Sequence, residues 1–244
     1  MKDPVPITLN AGEVCVSFIQ EDGSVSTTIM YAGVHHLAAI DACERLREGG
    51  GRSADAASAI MSAASSTEAF ISELAYVADQ AVRVESRQGR HHPALESFAA
   101  VMLEDGERSP MNLRSRFRIA KLLLTGKMYS KGDSLYQDFS FLTELRNCLA
   151  HLKPTAIDSM VGEKRILGGL RTRSLVGENH PSLLGNVMTF KVARFACNSA
   201  SAIIRDMHES CPIPKTSIGR LFIPAQIPDG SIESIDSMFP KVAN

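Results

Sequence analysis

Three residues past the middle of the chain carry side chains suited to acid–base work on an anionic substrate: Arg146, Asn147 and His151. An imidazole exchanges a proton near neutral pH, and a guanidinium presents a planar fork of donors to paired anionic oxygens. They stand near the end of Ser134 to Pro154, SLYQDFSFLTELRNCLAHLKP, a stretch with the length and apolar spacing of one helix. On a helical wheel Leu135, Phe139, Phe141, Leu142, Leu145, Cys148, Leu149 and Leu152 fill one side. Ser140, Thr143, Glu144, Asn147 and His151 fill the other. Asn147 and His151 are four apart and therefore neighbours. Arg146 stands about 140° around from His151, at the margin of the apolar side.

An arginine at a core margin needs a partner, because removing one member of a buried ion pair costs about 3–5 kcal/mol. Glu68, Glu73 or a carboxylate of a second chain could supply it. A core-margin ion pair beside an ordinary polar histidine is the plain structural alternative to a catalytic site.

The elements that must position these residues are mostly helical. Val34 to Glu48 reads as a helix with apolar positions Leu37, Ile40 and Leu46, stopped by Gly49-Gly50-Gly51. No G-K-S/T follows those glycines, so they read as a helix end and not as a phosphate loop. Ser53 opens a long helix to about Glu85, in which Ile60, Ala64, Ile71, Leu74, Ala78 and Ala81 recur at helical steps. Glu68 lies within it, facing either solvent or a buried arginine. Pro93 to Leu103 is a shorter helix. The helix from Asn112 to Leu124, stopped by Gly126, has an apolar stripe of Leu113, Phe117, Ala120 and Leu124. Its other face aligns Arg114, Arg118 and Lys121 at i, i+4 and i+7.

Between Arg108 and Lys127 there are six basic residues and no acidic one, which leaves two readings open: a solvated face, or a surface for RNA. Met160 to Val176 reads as a short helix weakened by Gly168-Gly169. A last helix spans about Leu184 to Glu209, with a core stripe of Val192, Ala196, Ala200, Ile203 and Met207.

Outside the helices, Glu13 to Gln20 alternates and Val25 to Met30 is β-branched, with turn residues between, so residues 1–32 read as a β-hairpin decoration. Residues 211–244 hold five prolines without a sustained period and read as an extended tail. Residues 33–210 remain as one helical domain, and the fold class is mainly α. A net charge of −1 excludes general attraction to nucleic acid, so RNA binding would need a local basic patch.

Five scattered cysteines without C-x-x-C fit a reducing cytoplasm, and no apolar run reaches membrane-span length. The opening residues MKDPVPITLN lack the apolar core of a signal peptide. His35-His36 and His91-His92 are adjacent pairs, pointing about 100° apart on a helix, and lack the spacing of H-E-x-x-H sites. Neither a metal nor a cofactor is expected.

The R-N-x-x-x-H pattern of Arg146, Asn147 and His151 resembles that of the HEPN superfamily of all-helical domains. The preceding segment strengthens the likeness: Leu124 and Gly126, then Lys131, Gly132, Tyr136, Gln137, Asp138 and Phe139, resemble a group of large standalone bacterial HEPN proteins. Ser66, Glu68, Ala69 and Phe70 resemble that group's first core helix. The resemblance covers about Ser53 to His208, and its specific part is Lys121 to Pro154. Lys153 stands where a glycine is frequent.

The resemblance implies an antiparallel helical bundle that dimerises, so that two motifs meet in one composite cleft. It implies a metal-independent endoribonuclease. His151 would be the general base on a ribose 2′-OH, Arg146 would hold the phosphate, and Asn147 would orient either. Arg114, Arg118, Lys121 and Lys153 would contact RNA. A toxin or a stress- or phage-defence effector, controlled by an antitoxin or regulatory protein, is one function class. A catalytically silent scaffold binding RNA, a nucleotide or a partner protein is the other.

Overall fold

The computed structural model describes residues 7–9, 13–19, 25–87, 89–108, 111–151, 161–176, 182–212 and 240–242. The chain is mainly helical: α1 (Ala32–Arg47), α2 (Ser53–Arg87), α3 (Pro93–Arg108), α4 (Leu113–Thr125), α5 (Ser134–Ala150), α6 (Val161–Thr172), α7 (Leu183–Val187) and α8 (Phe190–Ser210). Ahead of them, strands β1 (Ile7–Leu9), β2 (Glu13–Ile19) and β3 (Val25–Met30) pair antiparallel in that order, with Val16 opposite Thr28. No described helix is long and apolar enough to cross a membrane. Of the segment expected as an extended tail, 213–239 and 243–244 lie outside the described residues.

Two compact units emerge, and both cut across the 33–210 span. One comprises Met1–Val34, Ser66–Ser130 and Ile204–Pro240; the other comprises His35–Ser65, Lys131–Ile203 and Lys241–Asn244.

In the first unit α3 packs on α4. Phe98 and Met102 of α3, Phe117 and Ala120 of α4, and Phe70, Leu74 and Ala78 of α2 are buried. Asn112 caps α4 by accepting from the Ser115 N–H at 3.0 Å. Gly126, at φ 72°, ends α4 by donating to the Leu122 carbonyl at 2.8 Å, a left-handed stop that suits glycine. Oε1 of Glu73 accepts from the backbone N–H groups of Tyr31 and Ala32, the latter at 3.0 Å, and so tethers the start of α1.

The second unit has a core of small residues, among them Ala39, Ala42, Ala59, Ala63, Ala193, Ala196 and Ala200, filled out by Ile60, Leu142 and Leu145. Small side chains let helices approach closely, so little aromatic volume is needed. Cys43 and Cys197 share a hydrogen bond inside this core, and that bond together with burial holds the Cys197 thiol above its ordinary value. Val242 is buried here too. Its N–H donates to Asn198 Oδ1 at 2.7 Å, and Asn198 Nδ2 donates back to the Val242 carbonyl at 3.3 Å. One asparagine side chain thereby satisfies both the N–H and the carbonyl of Val242.

Three expectations need correction. Leu37 is exposed, and α1 turns His36, Ala39 and Cys43 inward instead. The last helix is two: α7 ends at Val187, and α8 begins at Phe190. Gly168-Gly169 does more than weaken α6, because a Cβ at Gly169 would lie 2.3 Å from Phe141 Cε2. Glycine is what lets α6 lie close to that ring.

Candidate functional site

Like most protein helices, α5 draws its stability chiefly from packing of its apolar face. Asp133 caps it, accepting from the Leu135 N–H at 3.0 Å. Phe139, Leu142 and Leu145 are fully buried, at about 1.5–3 kcal/mol each. That burial outweighs the weak intrinsic tendency and decides which face turns inward. Thr143, expected on the polar side, is buried, and its hydroxyl donates to the Ser140 carbonyl at 2.7 Å.

Arg173, just beyond α6, locks α5 from the side. Its guanidinium donates to Asp138 Oδ1 at 2.7 Å and to the Gln137 carbonyl at 3.1 Å, and stacks 4.5 Å from the centre of the Phe141 ring. The polar face of α5 is held in place by these contacts.

That face reads Ser140, Glu144, Asn147, His151, at steps of four, three and four. Asn147 and His151 are exposed, and Arg146 is half-buried. The helix stops at Ala150 and not at Pro154. His151 is its C-cap residue, with φ −120° and ψ 21°, and its N–H donates to the Asn147 carbonyl at 3.1 Å. The histidine therefore stands at the mouth of the helix end.

Arg146 does not stay apart as the wheel suggests. Its Nη1 donates to Asn147 Oδ1 at 3.1 Å. Because arginine has no acceptor, the amide must turn its oxygen to Arg146, which leaves the Asn147 NH₂ as the outward donor. A hydrogen bond thus joins guanidinium and amide, and the exposed His151 follows four residues on along the same face as Asn147.

Among the other expected residues, Glu68 is exposed. Glu73 is engaged at the start of α1, and burial pushes its carboxyl up to about 7 against the opposing pull of the two N–H groups.

Arg114, Arg118 and Lys121 sit on α4 in the first unit, all partly buried. Arg118 Nη2 contacts Met128 Sδ at 3.0 Å. Lys121 finds the carboxylate missing from its sequence neighbourhood on α8: its Nζ lies 2.8 Å from Asp206 Oδ2 and 2.5 Å from Ser210 Oγ. The Tyr129 hydroxyl donates to the same Asp206 oxygen. Lys121 is thereby committed to the fold. Lys153 lies outside the described residues.

Sequence reasoning passed over a cleft of about 460 Å³ beside α5, lined by Lys131, Tyr136, Ser140, Glu144, Arg165 and Arg173. Lys131 and Tyr136 lie in the segment leading into and opening α5, and Arg165 lies in the basic segment after Met160. Their convergence depends on how α6 packs against α5.

Comparison with family models, with curated proteins and with solved structures finds no match for this chain.

Proposed function

We propose that the chain is a metal-independent endoribonuclease of HEPN type. The observation that carries the reading is the joining of Arg146 to Asn147, on a helix end that leaves Asn147 and His151 exposed. A histidine serving only the core would be buried.

In the proposed reaction His151 takes the proton of a ribose 2′-OH. The 2′ oxygen bonds to the adjacent phosphorus, the P–O5′ bond breaks, and a 2′,3′-cyclic phosphate remains. The leaving 5′ oxygen takes its proton from the imidazolium of a second copy's His151, as a homodimer with facing motifs allows. Arg146 and the Asn147 NH₂ meet the charge that grows on the phosphoryl oxygens. A role as a toxin or defence effector, restrained by an antitoxin, fits such an activity.

RNA cleavage by the wild-type chain beside His151→Ala and Arg146→Ala, with EDTA present, tests this. Each substitution should lower the rate by about 10²–10⁴-fold, and the wild-type product should end in a cyclic phosphate. Equal residual activity in all three proteins would identify a contaminating nuclease. No wild-type activity would transfer the argument to a silent RNA- or protein-binding scaffold.

A further inference from the structure

The polar stripe of α5 runs past the motif. Ser140 and Glu144 lie on the same face as Asn147 and His151, and they form part of the wall of the cleft of about 460 Å³. Back from His151 the helix rises about 10 Å to Glu144 and about 16 Å to Ser140. At a nucleotide spacing of about 3.4 Å, that of a stacked duplex strand, a strand with its phosphate at His151 reaches the cleft within a few nucleotides.

The cleft has the components for that strand. Lys131 is exposed, and among the described residues no carboxylate pairs with it. Arg165 meets Glu144 at 3.5 Å with a side chain that is 67% exposed, a pair of little net worth and easily exchanged for a phosphate. Arg173 is occupied by Asp138 and shapes the wall without being available to a ligand. Tyr136, half-buried and tilted 52° against Phe139, offers a ring held from behind.

We propose that this cleft binds unpaired nucleotides flanking the scissile phosphate of a single-stranded RNA, with Lys131 and Arg165 on phosphates and Tyr136 against a base. The proposal rests on the ribonuclease reading of Arg146, Asn147 and His151. Single strand is favoured over duplex because a paired base cannot reach an aromatic ring, whereas a splayed one stacks on it. Glu144 opposes the phosphates, so the cleft also carries a repulsive charge.

The test has two readouts on the full chain. The first is binding of a short fluorescent oligouridylate whose 2′-O-methyl groups prevent cleavage. Lys131→Gln with Arg165→Gln should weaken it and make the salt slope shallower by about 1.4, the share of two phosphate contacts on a single strand. Tyr136→Ala should weaken it about tenfold, and Glu144→Gln should tighten it. A matched duplex should bind less well than the single strand.

The second readout is cleavage. A dinucleotide is too short to reach the cleft, so the cleft variants should cut it as the wild type does and lose rate only on longer RNA. Cleavage that depends on His151, with affinity, salt slope and length dependence all unchanged in the cleft variants, overturns the cleft and leaves the nuclease. Binding lost in the cleft variants, with no cleavage by wild type, supports the cleft as an RNA site and overturns the nuclease. No RNA binding by the wild-type chain overturns both.

Discussion

Arg146 donates through Nη1 to Oδ1 of Asn147 at 3.1 Å, and this bond between adjacent residues brings the guanidinium round to the exposed face of α5. On a bare wheel the two positions point about 100° apart. The length of the arginine side chain closes that gap.

The bond gives Asn147 a defined amide orientation, and replacing its donor by an anionic acceptor exposes its use. Asn147→Asp would keep Arg146 paired, now as an ion pair, while replacing the outward NH₂ with a carboxylate oxygen. We expect stability within about 0.5 kcal/mol of wild type and RNA cleavage lower by about 10²–10³-fold, the scale of a lost oxyanion donor. Urea denaturation and single-turnover cleavage measured together check it. Cleavage close to wild type would remove Asn147 from the site.

Gly169→Ala should destabilise the chain by about 1–3 kcal/mol, the cost of overpacking, because the new methyl group meets the Phe141 ring. Combining it with Phe141→Leu should recover part of the loss, since the leucine makes room. Additive losses in the double variant, read from denaturation midpoints, would mean that the two side chains do not collide.

Glu73 makes stability depend on pH in a definite direction. Its carboxyl stands near 4.5 in the unfolded chain and about 7 in the folded one, so between these values the folded state holds a proton that the unfolded state lacks. Its contribution is complete below about pH 4.5 and is lost as pH rises to 7, a fall of about 3 kcal/mol at 1.36 kcal/mol per pH unit. Glu73→Gln keeps an oxygen for the Tyr31 and Ala32 N–H groups and should flatten this part of the profile. Identical pH profiles for the two proteins across that window would show that Glu73 does not titrate there.

The Lys121–Asp206 pair, with side chains 19% and 32% exposed, also engages Tyr129 and Ser210. Asp206→Ala should cost about 1.5–3 kcal/mol, as expected for hydrogen bonds to a charged group. Lys121→Met should cost less than Asp206→Ala, because Asp206 keeps the Tyr129 hydroxyl. Denaturant titration of both variants decides the order, and the reverse order would mean that the lysine and not the aspartate organises the network.

Much of this fold can be read from sequence because apolar residues recur with the period of a helix. Ile60, Leu74 and Ala78 on α2, and Val192, Ala196 and Ile203 on α8, are all buried where their spacing places them. Chain-stopping chemistry is equally local: Gly49 and Gly126 both adopt positive φ just past a helix. The three motif residues, their helix and the exposure of Asn147 and His151 follow from the same local rules.

What a period cannot report is what stands opposite a face. His36 is buried while Leu37 is exposed, because the face of α1 that turns inward is the one carrying Ala39 and Cys43. Lys121 looks unpaired until Asp206, 85 positions away, is folded beside it. Gly169 looks like a helix weakness until the Phe141 ring fills the space above it. Periodicity and capping are properties of neighbours in the chain and survive in the sequence alone. Ion pairs, close approaches and the cleft beside α5 are relations between distant segments, and only the tertiary structure decides them.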